Sequence, residues 1–175
     1  MLIHFSEDPS IRRFVPHVPR SNPNAAPAVW AIDEEHAPLY WFPRKCPRVT
    51  VWARNADEQW LLSRMFATDA ARVHGCELAW VRRMRATELW AYRFDSTDFR
   101  PRDDAAGQWT CARAVEPVDV VPVGDLIDRH VDAGIELRFV PTLWPMHDLI
   151  VGSGLEFSLV RMSNAAPRPD GRVTP

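Results

Sequence analysis

Few side chains in this sequence combine the right type with the right spacing for chemistry, and the clearest pair stands near the start. His4 and Ser6 lie two residues apart in a run, 2–6, that reads as a strand, so their side chains share one face. An imidazole beside a hydroxyl offers a compact set of donors and acceptors for ribose hydroxyls or an amide. The competing structural reading is a half-buried histidine satisfied by a neighbouring carbonyl. The other histidines, His17, His36, His74, His130 and His147, show no His-x-x-x-His or Glu-x-x-His spacing, so no metal is expected. There is no Gly-x-Ser-x-Gly elbow, no phosphate-cradling Gly-x-x-x-x-Gly-Lys loop and no Gly-x-Gly-x-x-Gly. Gly152-Ser153-Gly154 reads as a turn between a helix and a strand.

Indoles are plentiful, and an indole can stack on a base or on nicotinamide. The spacing of most of the 8 Trp instead fits core faces of strands and helices. The basic runs around Arg44–Arg48 and Arg82–Arg85 read as solvated surface. With 21 Lys plus Arg against 23 Asp plus Glu, the net charge of −2 gives no overall pull toward nucleic acid.

The elements that must hold these residues follow from composition and pattern. A chain of 175 residues with 46% apolar and 25% charged residues suits one soluble domain with its own core. Three cysteines without a close pair argue against a disulfide framework or a zinc cage. No apolar run approaches the length that spans a bilayer and the first residues lack an export signal, so a cytoplasmic protein is expected. Sixteen prolines against 7 glycines imply many rigid loops, and the prolines of 16–28 make that stretch an ordered or mobile loop. Strands are expected at 2–6, 28–32, 48–52, 88–94, 108–115, 118–123, 135–140 and 155–160. Asp33 should cap a short helix that runs through Leu39, Tyr40 and Trp41 and ends before Pro43, and Asn55 with Glu58 should open another. Val73, Cys76, Trp80 and Met84 recur at helical spacing. Asp125 to Ala133 should form a helix closed by Gly134, and Met146 to Val151 a helical turn. The result is an α+β fold in one domain, 1–164, with a mixed or antiparallel central sheet and a flexible tail over 165–175.

The block His4-Phe5-Ser6, then Val29-Trp30-Ala31-Ile32-Asp33, Ala37-Pro38-Leu39-Tyr40 and Arg48-Val49-Thr50-Val51-Trp52 resembles the opening of ADP-ribosyltransferase-like folds. That resemblance covers about the first third of the chain and implies a ligand, NAD or a related ribonucleotide. It makes His4, with Ser6, the ribose contact and Trp30 or Tyr40 the aromatic packed on nicotinamide. A late glutamate completes the family pattern by stabilising a developing cation. The strand at Gln108 carries none, which leaves Glu116 and Glu88 as substitutes. Transfer or hydrolysis of ADP-ribose is one implied function; a non-catalytic nucleotide-binding or interaction module lacking that glutamate is the other. The opening is also similar to a bacterial family of uncharacterised proteins beginning His-Phe-Ser-Glu. The β-branched and aromatic content and short connections of the strands at 2–6, 29–32 and 48–53 predict that they share one sheet, on which the resemblance depends.

Overall fold

The computed structural model describes residues 1–19, 24–103 and 105–169. Residues 20–23 of the expected loop, Asp104 and residues 170–175 of the expected tail lie outside them. The protein is α+β. Its strands are β1 (Leu2–Ser6), β2 (Val29–Asp33), β3 (Arg48–Trp52), β4 (Arg72–Glu77), β5 (Trp90–Phe94), β6 (Arg100–Pro101), β7 (Gln108–Cys111), β8 (Asp119–Pro122), β9 (Glu136–Val140) and β10 (Glu156–Val160). Its α-helices are α1 (Ala56–Phe66), α2 (Val81–Ala86), α3 (Leu126–Asp132) and α4 (Trp144–Ile150).

The chain divides into two units that interleave in sequence: Met1–Trp41 with Glu88–Gly124, and Phe42–Thr87 with the chain from Asp125 onward. The first unit is built on a six-stranded antiparallel sheet in the order β6-β7-β2-β1-β5-β8. The second is built on a four-stranded sheet, β10-β3-β4-β9, in which only β4 and β9 run parallel. The expectation of one sheet for the first three strands is therefore wrong. β1 and β2 pair, whereas β3 pairs with β4 and β10 in the other sheet. The β-branched and aromatic content of 48–52 marks a strand but carries no information about its partner.

In the first unit one sheet face holds Leu2, Val29, Ala31, Tyr92, Phe94 and Cys111, packed with Phe99, Phe14 and Val115. The proline-rich segment is tied down across it by bridges Phe14↔Val115 and His17↔Ala28. In the second unit Val49, Val51 and Val73 of the sheet pack against Leu62 and Phe66 of α1 and Met146 and Ile150 of α4.

Local signals largely hold. Asn55 accepts from the Glu58 N–H at 3.0 Å, and Asp125 from the N–H groups of Ile127 and Asp128, each satisfying donors a helix start leaves open. Asp33 accepts from the His36 N–H at 2.8 Å ahead of a 3₁₀ turn, Ala37–Tyr40. The helical spacing from Val73 to Met84 misleads, because 72–77 is the strand β4 and the helix starts only at Val81. β4 is buried on both faces, so it lacks the alternation that identifies a half-exposed strand. The tail also differs at its start. Ala166 N–H donates to the Glu77 carboxylate, the Trp144 indole donates to Ala166 O at 2.7 Å, and Arg168 pairs with Asp148.

Candidate functional site

β1 is a central strand, and its alternation fixes what each of its residues can meet. In register with β5, His4 stands opposite Tyr92 and Ser6 opposite Trp90. Both lie on the aromatic face, as their spacing requires. The His4 ring packs on Phe14 with centroids 4.9 Å apart, and its Nδ1–H donates to the Trp30 carbonyl at 2.8 Å. Ser6 is buried, and its hydroxyl accepts from the Asp8 N–H. The imidazole thus does what the structural reading of a half-buried histidine assigns it.

Trp30 and Tyr40 do not join it. Ile3 pairs with Ile32, which puts Trp30, Ile32, Ile3 and Phe5 on the opposite face of the sheet. Tyr40 belongs there too: its ring lies parallel to Phe5 with centroids 6.5 Å apart, and its hydroxyl accepts from Gln108 at 3.2 Å. The four residues proposed as one ligand site therefore divide two and two across the sheet. Trp90 is the indole that stands beside Ser6, a neighbour reached only through the β1–β5 pairing. Among the described residues the indole N–H groups of Trp30 and Trp90 are buried without a hydrogen-bond partner.

The weak carboxylate candidates separate as well. Glu88 is exposed in the connection before β5. Glu116, also exposed, lines an open cleft of about 480 Å³ in the first unit together with Arg13, Asp95, Asp98, Phe94 and Phe99. His4 is not in its lining; Phe14 packs against both the His4 ring and Phe94, at 4.9 and 5.2 Å between centroids. Hydrogen bonds from the Thr97 side chain and N–H hold the Asp95 carboxyl below the usual carboxylate range. Asp98 is paired with Arg113. Asp95 therefore presents an ionised acceptor to the cleft that Arg13 and Glu116 also line. No sequence spacing announces this group, since Arg13 and Asp95 meet only through the fold.

The second unit contains a different polar group, sealed from solvent. His74 on β4 and His130 on α3 are both fully buried, with His130 Nε2 and His74 Nδ1 3.1 Å apart. Phe42 covers both rings at 5.9 and 5.0 Å. Arg48, also buried, donates to the Cys46 carbonyl and lies over Phe42. Among the described residues no group of three or more His, Cys, Asp or Glu side chains is placed to hold a metal ion. Among them, no helix is long and apolar enough to cross a membrane.

A family model described as a family of unknown function (DUF6886) matches residues 3–165. No curated protein and no solved structure matches the chain.

Proposed function

The chain belongs to the DUF6886 family, whose function is unknown, and we propose that its first unit is a non-catalytic binding module for a ribonucleotide such as NAD or ADP-ribose. The observation that carries this reading is the open cleft holding Arg13, Asp95 and Glu116 together. Its volume of about 480 Å³ falls in the range of small-ligand sites. A guanidinium takes a phosphate through paired charge-assisted hydrogen bonds. Ionised carboxylates accept vicinal hydroxyls, which a ribose supplies. Phe94 and Phe99 contribute apolar lining to the cleft.

Chemistry on the glycosidic bond needs a ribose contact and a cation-stabilising carboxylate on one substrate. His4 is engaged with Trp30 O and does not line the cleft that holds Glu116. That separation favours binding without cleavage. In a thermal unfolding experiment millimolar ADP-ribose or NAD should raise the Tm, since a ligand selective for the folded state stabilises it by mass action. Arg13→Ala should abolish the rise, and chromatography should find no nicotinamide released from NAD. No rise with either ligand sinks the proposal; release of nicotinamide replaces the module with an enzyme.

A further inference from the structure

The buried histidines of the second unit are arranged as a directed chain. The Leu126 carbonyl can only accept, so His130 carries its proton on Nδ1, which donates to that oxygen at 2.6 Å. His130 Nε2 is then a lone pair and must receive the Nδ1–H of His74 at 3.1 Å. His74 Nε2 ends the chain as a bare acceptor, buried and without a partner among the described residues. Both imidazoles are neutral in this arrangement, and both carry the less common Nδ1–H tautomer. Adding a proton to the chain places an N–H at His74 Nε2 where no acceptor waits. The charged form also loses its hydration in a site closed by Phe42.

The groups facing the pair make that proton still less welcome. β3 turns Arg48, Thr50 and Trp52 to this side of the sheet, and β4 turns Arg72 and Cys76. β9 contributes Leu137 and Phe139. β10 contributes Glu156 at the far edge, where it pairs with Arg54 at 2.8 Å. Cys46 precedes β3 beside Cys76, and its thiol is buried. On α3 itself Asp128, Arg129 and Asp132 are exposed, and α2 buries Met84 while Arg82, Arg83 and Arg85 are exposed. Glu77 and Glu136 belong to the opposite face.

We propose that His74 and His130 form an acid-operated latch, which holds α3 on the four-stranded sheet while both rings are neutral and releases it when they take up protons. Burial pushes His130 down to about 4, against the Leu126 hydrogen bond, which acts the other way. Burial also pushes His74 well below its ordinary range, reinforced by His130, Arg72 and Arg48. The released form, with ordinary imidazoles near 6.5, is therefore favoured as pH falls below that value, by about ten-fold per pH unit for each ring. Between pH 6.5 and 5.5 the population with α3 undocked rises by roughly 5-fold if one ring takes up a proton and roughly 30-fold if both do.

Hydrogen exchange of the full chain, corrected for intrinsic rates, reads this directly. Amides of α3 should lose protection over that pH interval while those of α1 keep theirs. Equal loss in α1 and α3, or no change in α3, overturns the latch. The double variant His74→Gln/His130→Gln should be insensitive to pH in α3, and a retained response refutes the assignment. If that variant does not fold, imidazole nitrogen NMR of the parent decides: two neutral Nδ1–H rings at pH 6 support the latch, and a charged ring or an Nε2–H tautomer at either site rules it out.

Discussion

The His4 imidazole is bonded to the Trp30 carbonyl at 2.8 Å, yet the Trp30 side chain lies on the other face of the sheet. A backbone contact and a side-chain contact thus point in opposite directions between the same two residues. The consequence is that His4 ties β1 to β2 through the main chain and does not share a ligand with the indole.

Replacement of His4 tests that role. His4→Ala removes the donor to a part-buried carbonyl and a ring packed on Phe14, a loss of about 1–3 kcal/mol. The Tm should fall by several degrees in a thermal melt, and any rise produced by ADP-ribose should be the same size as in the parent. An unchanged Tm with a lost ligand response would return His4 to the binding site.

Gly107 is held at φ +67°, and a Cβ there would come within 2.4 Å of the His36 ring. That ring is fixed by Asp33, which accepts from its Nδ1 at 2.8 Å. Gly107→Ala therefore combines a left-handed backbone with a clash against a restrained group, and should cost at least about 2 kcal/mol. Gly134, also left-handed but with open space around it, should tolerate alanine with a loss nearer 1 kcal/mol. Comparable denaturation midpoints for the two variants would contradict this.

All three cysteines are buried. The neighbouring Cys46 thiol and burial push the Cys76 thiol well above its ordinary value. Thiolate is the reacting form, so native protein should resist alkylation at Cys76 at pH 8 and react fully once denatured. Labelling of folded protein at a rate typical of a free thiol would refute the buried placement.

Glu77 is a buried carboxylate that accepts from the N–H groups of Leu143 and Ala166. Glu77→Ala leaves those donors without a partner, at about 1–3 kcal/mol each when they stay buried. Limited proteolysis should then cut near Ala166, with the parent resistant at the same dose. Equal resistance would mean that Trp144 and Arg168 hold the segment by themselves.

Stability should also depend on pH through His130. Its folded value is lowered to about 4, so the unfolded chain binds the extra proton between 4 and about 6.5. The free energy of unfolding should be level above pH 6.5 and fall below it, by roughly 1 kcal/mol per pH unit for each neutral buried ring. Paired carboxylates such as Glu58, lowered by Arg54, act only in the window below their ordinary values. A urea titration showing no decline between pH 6.5 and 5 would exclude the neutral pair.

Local chemistry was legible and long-range pairing was not. The caps at Asn55 and Asp125 and the left-handed Gly134 could be read because each depends on residues three or four apart. The separation of β3 from β1 and β2 could not, because strand composition does not encode a partner. At the site, the shared face of His4 and Ser6 followed from strand periodicity alone. The side on which Trp30 falls depends on the Ile3↔Ile32 register, and the cleft depends on bringing Arg13 to Asp95. Both are settled by tertiary packing.

The interleaving of the two units constrains how the chain can fold while it is being made. β1 and β2 are synthesised first, but their outer neighbours β5 and β7 follow only after the whole of 42–87 has been translated. β3 and β4 in turn wait for β9 and β10, the last strands to leave the ribosome. Each half-sheet therefore exists for a time with open hydrogen-bonding edges, the state in which strands pair with the wrong partner. Rapid synthesis in a heterologous host, which crowds such nascent edges together, should yield inclusion bodies sooner than it would for two units encoded one after the other.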